Sequence, residues 1–399
     1  MQTTDNWQRK AALFLTSQMI SIFGTSVVAY AVIWYITLET SSASLMTILI
    51  VCTFLPQVLI SLIAGVWADR YNRKKLIIIS DLFTAIVTLV LAICFISGSK
   101  SFTLIFVAAA LRSLGAGIQT PAVSAILPQI VPMEKLTKVN GINNALISAT
   151  TLLSPAVGGI MLSTMGFSYT LLIDVFTAII AVVIFTFIKV KKHACSEEVD
   201  SIFKELKKGL LYTKNHPLLS KLLFFYILFF FLVAPAAFLT PLMVARSFGP
   251  EVWRLTLNEM FWSGGAVLGG VVISFWGGFK NKLSTMALST AAFGITIALM
   301  GVAKDFWLYL VIILLSGIFM PIFSTAETVL IQENVEENMM GRVFSIVQII
   351  ITAAMPLGML VFGPLGDMIP IEYLLIGTGI CMALLTPSIL RVRHIVEKI

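Results

Sequence analysis

The stretch GVWADRYNRKK, residues 65–75, lies between two long apolar runs and sets the interpretation of the whole sequence. Gly65 allows two helices to approach closely, and the carboxylate of Asp69 can accept charge-assisted hydrogen bonds from a neighbouring helix end. Four cations follow within six residues, namely Arg70, Arg73, Lys74 and Lys75. Cations at this density beside an apolar run are typical of a loop on the cytoplasmic surface of a membrane.

The apolar runs belong to a composition that excludes an ordinary soluble protein. Of the 399 residues, 58% are hydrophobic and only 12% are charged, whereas about a quarter of the residues in soluble domains are charged. A helix needs about 20 apolar residues to cross a bilayer. Twelve such runs are predicted, at residues 11–38, 44–67, 76–97, 102–127, 139–164, 168–189, 220–245, 255–277, 283–302, 306–331, 340–366 and 371–391. The expected fold is therefore an all-α membrane protein with twelve transmembrane helices.

The net charge of +7 could indicate a nucleic-acid partner, so the placement of the basic residues has to decide. When the runs are assigned alternately to the two sides, 22 Lys and Arg lie on one side, four on the other and Arg112 within a span. These numbers sum to the 27 in the sequence. The positive-inside rule places both termini in the cytoplasm, and the bilayer, not nucleic acid, is the expected partner.

The sequence contains no pattern that predicts a metal or nucleotide cofactor. The four cysteines Cys52, Cys94, Cys195 and Cys381 are scattered, without CxxC or Cys/His spacing for zinc. No G-x-x-x-x-G-K-[ST] motif occurs, and no nucleophile, base and metal set converges. We therefore expect no catalytic residue, no metal site and no cofactor, with an ion gradient as the energy source.

One long polar stretch divides the chain into two halves. The predicted organisation is an N-terminal six-helix bundle at residues 1–190, a cytoplasmic linker at 191–219 and a C-terminal six-helix bundle at 220–399. The linker carries apolar residues at helical spacing, at Ile202, Phe203, Leu206 and Leu210. This pattern predicts a short amphipathic helix on the inner membrane face.

The two halves resemble each other. At an offset of 204 residues the fourth and tenth spans align, so that Ala122 matches Ala326 and Lys138 matches Arg342. Duplicated six-helix units with a substrate site at their interface are a recurring transporter plan. Chance similarity between apolar helices is the alternative. The prediction is a pair of pseudo-symmetric bundles.

The cationic loop resembles the signature G-x-x-x-D-R-x-G-R-[RK]-x of the major facilitator superfamily. Residues Gly65, Asp69, Arg70, Arg73 and Lys74 match that signature. Asn72 replaces the usual glycine, which is a mild departure because Asn is the residue that best tolerates a turn with positive φ after Gly. The resemblance implies a cytoplasmic gate that latches this side when the central cavity faces outward.

The fifth span contains SATTLLSPAVGG, residues 148–159, which resembles the antiporter motif G-P-x-x-G-G of the same superfamily. Pro155, Gly158 and Gly159 match, whereas Ser154 stands in place of the first glycine. In the superfamily this motif is associated with exporters. Pro155 removes a backbone hydrogen bond and the glycines allow close contact and bending, so a purely structural kink is the alternative interpretation.

Arg112 is predicted near the centre of the fourth span, about ten residues or roughly 15 Å from its outer end. An arginine at this depth costs at least about 2.5–3.5 kcal/mol. It should therefore face a cavity or a charged partner and not lipid. A functional charge and a structural buried ion pair both satisfy this requirement.

Four acids also lie within predicted spans, namely Asp81, Asp174, Glu259 and Glu327. A carboxyl group in a low-dielectric cavity can exchange a proton near neutral pH, so each is a candidate for proton coupling. Asp81 could instead pair with Arg70 or Arg73. Glu259 follows the polar stretch RLTLN and is expected to be solvated, so Asp81, Asp174 and Glu327 remain as the candidates.

Polar and aromatic residues within the spans are candidates for the wall of a substrate cavity. In the first span Gln18, Ser21 and Thr25 share one helical face. The other candidates are Asn143, Asn144, Tyr226, Trp262 and Gln348. Hydrogen bonding between helices is the alternative role for the polar residues.

Stretches along nearly the whole chain, among them DRYNRKKLIIISDL and RSLGAGIQTPAVSAILPQIVP, resemble the bacterial macrolide-efflux branch of the twelve-helix drug:proton antiporters. The resemblance implies a monomeric, proton-coupled exporter of amphipathic small molecules in the bacterial cytoplasmic membrane. The first alternative keeps the fold and changes the cargo to a siderophore, lipid or peptide made by the cell. The second is a membrane sensor that binds a ligand without transporting it.

Overall fold

The computed structural model describes residues 7–188 and 202–396, and within these ranges every regular element is an α-helix. The helices are α1 (Trp7–Thr40), α2 (Ala43–Arg70), α3 (Arg73–Ile96), α4 (Phe102–Ile130), α5 (Met133–Thr186), α6 (Ile202–Asn215), α7 (Pro217–Phe238), α8 (Thr240–Ser247), α9 (Val252–Trp276), α10 (Lys282–Val302), α11 (Phe306–Asn334), α12 (Glu337–Met368) and α13 (Ile371–Val396).

The helix α5 accounts for two membrane crossings. By length and composition, eleven helical segments of the described chain can span a membrane, with α7 and α8 forming one of them. The α5 segment contains 54 residues and a break at Gly166, where φ is 77° and ψ is 174°. Glycine adopts positive φ without a steric penalty, so the chain reverses there and crosses again. Ten segments that cross once and the α5 segment, which crosses twice, give twelve crossings. This number confirms the predicted fold class.

The structure forms two compact units. The first consists of Met1–Ile36 and Val51–Val199, and the second of Thr37–Ile50 and Asp200–Ile399. The end of α1 and the beginning of α2 therefore belong to the second unit, although the remainder of both helices belongs to the first. The domain boundaries predicted from the sequence, near residues 190 and 220, did not assign the end of α1 and the beginning of α2 to the second unit.

Helix α3 of the first unit shows how the sequence suits an apolar solvent. Its buried face includes Ser80, Asp81 and Thr88, and it packs against α4 and α5. Its exposed face is an apolar stripe at helical spacing that includes Ile79, Ile86 and other large residues. Polar groups inside and apolar groups outside are the arrangement that a lipid environment favours.

In the second unit the contact between α9 and α11 depends on glycine. A Cβ atom added at Gly265 would overlap the carbonyl of Leu314, and one at Gly269 would overlap that of Ile318. A Cβ at Gly270, the next residue, would meet nothing within 4 Å. Small residues allow the backbones of membrane helices to approach closely. The α9–α11 interface is therefore a backbone-to-backbone contact at Gly265 and Gly269.

Asp367, near the end of α12, caps the beginning of α2 within the second unit. Its Oδ1 accepts a hydrogen bond from the backbone N–H of Ala43 at 2.7 Å, and its Oδ2 accepts from that of Ser44 at 2.8 Å. Arg246 forms an ion pair with the same carboxylate at 3.1 Å and donates to the carbonyl of Ser41. The first amides of α2 thus have a carboxylate partner, which stabilises a helix N-terminus.

The predicted amphipathic helix of the linker is α6. It packs against α12 and α7, and Gly209 brings it close to Arg342. Thr213 is buried at this contact, whereas Leu210 is more than half exposed. Residues 189–201 of the predicted linker lie outside the described residues, and so do the side chains of residues 202–207.

Candidate functional site

The cations of the loop between α2 and α3 hold the ends of three helices. Arg73 donates through Nε to the carbonyl of Ala68 in α2 at 2.8 Å and through Nη1 to that of Ala125 in α4 at 2.7 Å. Lys74 donates through Nζ to the carbonyl of Thr186, the last residue of α5, at 2.7 Å. Cations near helix C-termini satisfy free carbonyls and oppose the helix dipole. Arg73 and Lys74 therefore tie the loop to three helices of the first unit.

The tolerance of Asn72 for positive φ is not used in the structure. Asn72 has φ −67° and ψ 109°, and its side-chain oxygen accepts a hydrogen bond from the backbone N–H of Lys75 at 3.3 Å. Asn therefore fits here as the N-cap of α3, which requires extended backbone and not positive φ. Gly65 is partly buried in α2 and Arg70 is exposed at its end. The side chain of Asp69 lies outside the described part of the structure.

Arg112 and Asp174, which the sequence presented as two separate candidates, form a buried ion pair. The Nη1 atom of Arg112 donates to Oδ2 of Asp174 and to Oγ1 of Thr88. The carboxylate also accepts hydrogen bonds from Thr88 and Thr25, each at 2.9 Å. The side chains of Arg112 and Asp174 are 14% and 3% exposed. The structure shows the ion pair, and a functional role for Arg112 stays a prediction.

Asp81 is buried without a described cation partner. Its Oδ1 accepts hydrogen bonds from Ser21 Oγ in α1 and from Gln119 Nε2 in α4, both at 2.8 Å. The expected alternative, a pair with Arg70 or Arg73, is not found among the described contacts of Asp81. Neutral donors satisfy one oxygen of this carboxyl group and leave it able to gain or lose a proton.

The polar face of α1 lies against the buried acids Asp81 and Asp174 of the first unit. Ser21 donates to Asp81, and Thr25 donates to Asp174. The structure thus shows hydrogen bonds between helices at these two positions. Gln18 is 3% exposed, and its Nε2 has no hydrogen-bond partner in the described structure. Buried amide groups with free donors are uncommon in folded proteins, so Gln18 stands out on this face.

In the second unit Glu327 and Tyr226 are two buried polar side chains with unsatisfied polar atoms. Glu327 is 6% exposed and Tyr226 is 1% exposed. Glu327 Oε1 and the Tyr226 hydroxyl lack hydrogen-bond partners among the described residues. Phe229 and Phe323 stack beside them with ring centroids 4.4 Å apart. A carboxylate in such an apolar environment is unfavourable unless it is neutralised.

A cavity of about 290 Å³ lies within the second unit and is surrounded by residues of α7, α8, α9, α10, α11 and α12. It is lined by Val233, Ala236, Ala237, Phe238, Thr240, Asn258, Glu259, Trp262, Phe293, Met300, Ile313, Ser316, Met320 and Met355. Trp262 was predicted to line such a cavity, whereas Tyr226 belongs to the neighbouring aromatic cluster.

Glu259, which the sequence analysis set aside as a solvated residue at a span end, is partly buried and its side chain lines this cavity. The sequence held a signal for this position. Glu259 and Trp262 are three residues apart, so they share one helical face. The neighbouring polar residues of the RLTLN stretch suggested solvent, although Asn258 also lines the cavity.

The residues of the antiporter motif are buried in the first half of α5. Pro155, Gly158 and Gly159 are all inaccessible, and the helix continues through them without a break. A Cβ added at Gly158 would lie 3.4 Å from the carbonyl oxygen of Val27 in α1. The only described departure from helical backbone in α5 is at Gly166. The motif therefore forms part of the α1–α5 contact.

The remaining predicted cavity residues are amides on helix surfaces. Asn143 is partly buried in α5 and Asn144 is exposed. Gln348 is exposed on α12 and donates through Nε2 to Thr352 Oγ1 of the same helix at 3.3 Å. The structure brings none of the three into the cavity of the second unit, and their role in substrate binding stays a prediction.

Comparison with known proteins places this architecture among membrane transporters. A family model described as the Major Facilitator Superfamily matches residues 14–359. Macrolide efflux protein A of Streptococcus pyogenes is 28% identical over 404 residues, which cover 99% of this chain and 99% of that protein. The Staphyloferrin A transporter of Staphylococcus aureus is 23% identical over 356 residues, covering 89% of each chain.

Solved structures show the same fold. The nucleoside transporter NupG has a TM-score of 0.74 at 15% identity, covering 97% of this chain and 99% of that one. A bacterial homologue of the iron transporter ferroportin, in an inward-facing state, has a TM-score of 0.72 at 16% identity, covering 97% and 99%. The superfamily resemblance inferred from the motifs is confirmed by the family model, and over nearly its full length the chain is similar to macrolide efflux protein A.

Proposed function

The chain belongs to the major facilitator superfamily, and from this premise we propose that it exports macrolide-like or other amphipathic compounds in exchange for protons. The observation that carries the proposal is similarity over 99% of the chain to macrolide efflux protein A. A second relative, the multidrug efflux pump Tap of Mycolicibacterium fortuitum, is 22% identical over 366 residues. Both names describe export of drugs.

Glu327 is the acid that best fits proton exchange. Asp174 is neutralised by Arg112, and its carboxylate accepts several further hydrogen bonds. Asp81 accepts two hydrogen bonds from neutral donors. Glu327 has neither a cation nor a hydrogen bond at Oε1 within the described structure. Burial without a partner makes the charged form of Glu327 unfavourable. Gain or loss of a proton therefore changes the free energy of Glu327 more than that of Asp81 or Asp174.

Transport proceeds in this proposal by alternating access between the two six-helix bundles. Glu327 is protonated while the transporter is open to one side of the membrane, and the substrate is released while it is open to the other side. The loop of Gly65, Asp69, Arg70, Arg73 and Lys74 acts as the cytoplasmic latch, and Arg73 and Lys74 already hold three helix ends together. The protein works as a monomer in the cytoplasmic membrane, with both termini in the cytoplasm.

A second candidate function is export of a siderophore made by the cell. The relative that supports it is the Staphyloferrin A transporter, at 23% identity over 89% of the chain. A siderophore of the carboxylate type is anionic and would need a cation in the binding site. Arg112 is already paired with Asp174 and is not a free counter-ion for an anion. The described structure therefore suits a cationic or neutral substrate better than an anionic siderophore.

The decisive experiment is accumulation of a radiolabelled macrolide in a susceptible bacterium with and without this protein. Cells that contain the protein should accumulate less label, and an uncoupler that collapses the proton gradient should remove the difference. Protein abundance in the membrane is measured in parallel by immunoblot. Equal accumulation at equal abundance would refute macrolide export, and lower accumulation that survives the uncoupler would refute proton coupling.

A further inference from the structure

The cavity of the second unit has a single ionisable side chain. Of its fourteen lining residues only Glu259 can carry a charge, and the wall is otherwise aromatic, aliphatic, methionine or small polar. No described Lys, Arg or His forms an ion pair with Glu259. A carboxylate in such a wall gains most from a ligand that brings a positive charge with it.

The Glu259 carboxyl group is positioned by a short hydrogen-bonded chain. Asn258 donates through Nδ2 to Glu259 Oε1 at 3.0 Å, and Asn258 Oδ1 accepts a hydrogen bond from the Tyr309 hydroxyl at 2.6 Å. Asn258 and Tyr309 are both buried. The chain holds one carboxyl oxygen in place, and the other oxygen has no described hydrogen-bond partner.

The rest of the wall suits an alkylated ammonium group. Trp262 and Phe293 lie with ring centroids 5.9 Å apart, and both line the cavity. Aromatic faces attract cations that are weakly hydrated, such as amines with alkyl substituents. Met300, Met320 and Met355 provide flexible, polarisable contacts that adapt to ligands of different shape.

The volume of the cavity limits what it can hold. Sites for drug-sized ligands occupy about 300–1,000 Å³, and this cavity has about 290 Å³. It can therefore accommodate a substituent or one end of a larger molecule but not a whole macrolide.

We infer that this cavity is a subsite for the protonated amine of an amphipathic substrate, with Glu259 as the counter-ion and Trp262 as part of the aromatic wall. The inference rests on the proposed export function and adds to it the charge of the substrate. It also assigns different roles to two acids of the second unit. Glu327 exchanges the proton, and Glu259 binds the substrate.

The test compares two ligands with the purified full-length protein in detergent micelles. One is a macrolide with its tertiary amine, and the other is the same macrolide with that amine converted to a neutral amide. Dissociation constants are measured by scintillation proximity at a pH at which the amine is protonated. The wild type should bind the amine more tightly than the amide. Equal affinity of the wild type for both ligands would overturn the inference without any variant.

The variant Glu259→Gln should weaken binding of the amine by about 10- to 100-fold, as expected for loss of a charge-assisted contact. Binding of the neutral amide should change little. Glu333→Gln is the matched control, since Glu333 is an exposed acid of the same unit outside the cavity. The variant Glu259→Asp keeps the charge and should retain more of the preference for the amine than Glu259→Gln does.

Three outcomes would overturn the inference. An equal loss for both ligands in Glu259→Gln would assign Glu259 a structural role, and no loss for either would exclude it from the site. Loss of proton-driven export with unchanged amine binding would make Glu259 the proton carrier. In all three the wild type still binds and exports the macrolide, so the proposed function survives. A wild type that neither binds nor exports either ligand would refute both.

Discussion

The buried charges of the two units differ in what they are bonded to. In the first unit Arg112 and Asp174 neutralise each other and share Thr88 as a hydrogen-bonding partner. In the second unit Glu327 is nearly as buried but has no partner at Oε1 in the described structure. A satisfied pair favours one fixed arrangement, whereas an unsatisfied acid responds to protonation. The Arg112–Asp174 pair and Glu327 therefore differ in how well their polar atoms are satisfied.

Replacing Glu327 by Gln should uncouple export from the proton gradient. Gln keeps the size of the side chain but cannot exchange a proton, so gradient-driven export should fall to the level of cells without the protein. Exchange of labelled for unlabelled macrolide across proteoliposome membranes needs no net proton movement and should persist. The control is Glu333→Gln, at an exposed acid of the same helix. Gradient-driven export at the wild-type rate in Glu327→Gln would show that another acid carries the proton.

Replacing Asp174 by Asn should destabilise the protein, because it leaves the charge of Arg112 buried without a partner. Removing one partner of a buried ion pair costs about 3–5 kcal/mol of unfolding free energy. The loss should appear as a lower midpoint of unfolding in mixed micelles. In the double variant Arg112→Met with Asp174→Leu much of the stability should return, since no charge is left unpaired. A double variant as unstable as Asp174→Asn would mean that the ion pair itself supplies the stability.

At this scale the sequence predicted which charged residues lie within the spans, but not how they are joined. The depth of Arg112 in its span required a partner, but Asp174 is 62 residues away and on another helix. Spacing within one helix reveals shared faces, not contacts between helices. The same limit explains Glu259, which was assigned to solvent from its polar neighbours in sequence although it faces a cavity.

Helix ends and helix contacts are held by a few specific residues. Asp367 caps α2, Asp305 caps α11 through the N–H of Leu308 at 2.9 Å, and Asn72 caps α3. Gly269 sets the distance between α9 and α11. Each of these features can be changed without touching a buried charge, so the elements can be tested separately.

The variant Asp367→Ala should loosen the beginning of α2. Loss of a side-chain cap typically costs about 0.5–2 kcal/mol, and the backbone amides of Ala43 and Ser44 would lose their carboxylate partner. Hydrogen exchange should therefore become faster in peptides that cover residues 41–48. The matched variant Asp305→Ala should have the same effect at the beginning of α11 and none at α2. Faster exchange throughout the second unit in Asp367→Ala would instead indicate a global loss of stability.

The variant Gly269→Ala should destabilise the second unit, whereas Gly270→Ala should not. A methyl group at Gly269 would overlap the carbonyl of Ile318, and one at Gly270 would meet no atom. Overpacking of this kind costs about 1–3 kcal/mol. Both variants gain the same helix propensity, so the difference between their thermal unfolding midpoints isolates the packing. Equal midpoints would show that α9 and α11 can move apart without loss of stability.

The spans were predictable because apolar runs of sufficient length have few other uses. The prediction of a span at residues 76–97 corresponds to α3 at Arg73–Ile96, and that at 283–302 to α10 at Lys282–Val302. The α5 chain reversal was predicted as a gap between two spans, but not as a single glycine. The cap formed by Asp367 was not predictable, because it joins residues more than 300 positions apart.

For the molecule as a whole, the distribution of basic residues sets the expected orientation. Of the 27 Lys and Arg, 22 lie on one side of the predicted spans and four on the other, with Arg112 within a span. The twelve crossings of the structure are an even number, which returns the C-terminus to the side of the N-terminus. The side that faces the cytoplasm can be measured by labelling.

Cysteine labelling should place both termini in the cytoplasm. The background is a variant in which alanine replaces Cys52, Cys94, Cys195 and Cys381. A single cysteine introduced at Lys100 or Lys304 should react with a membrane-impermeant maleimide in intact cells. One at Lys280 should react only after permeabilisation. All three lysines are exposed, so lack of access would reflect the membrane. Reaction at Lys280 in intact cells would reverse the orientation.

The ion pair of Arg112 and Asp174 also has a consequence for biosynthesis. The ribosome makes α4 with Arg112 before the partner exists, and the 62 residues between them take about 3–12 s at about 5–20 residues per second. During that interval the arginine has no carboxylate to neutralise it in lipid. Inserting α4 alone therefore costs at least about 2.5–3.5 kcal/mol for this arginine, and the second half of α5 removes that cost when it arrives with Asp174.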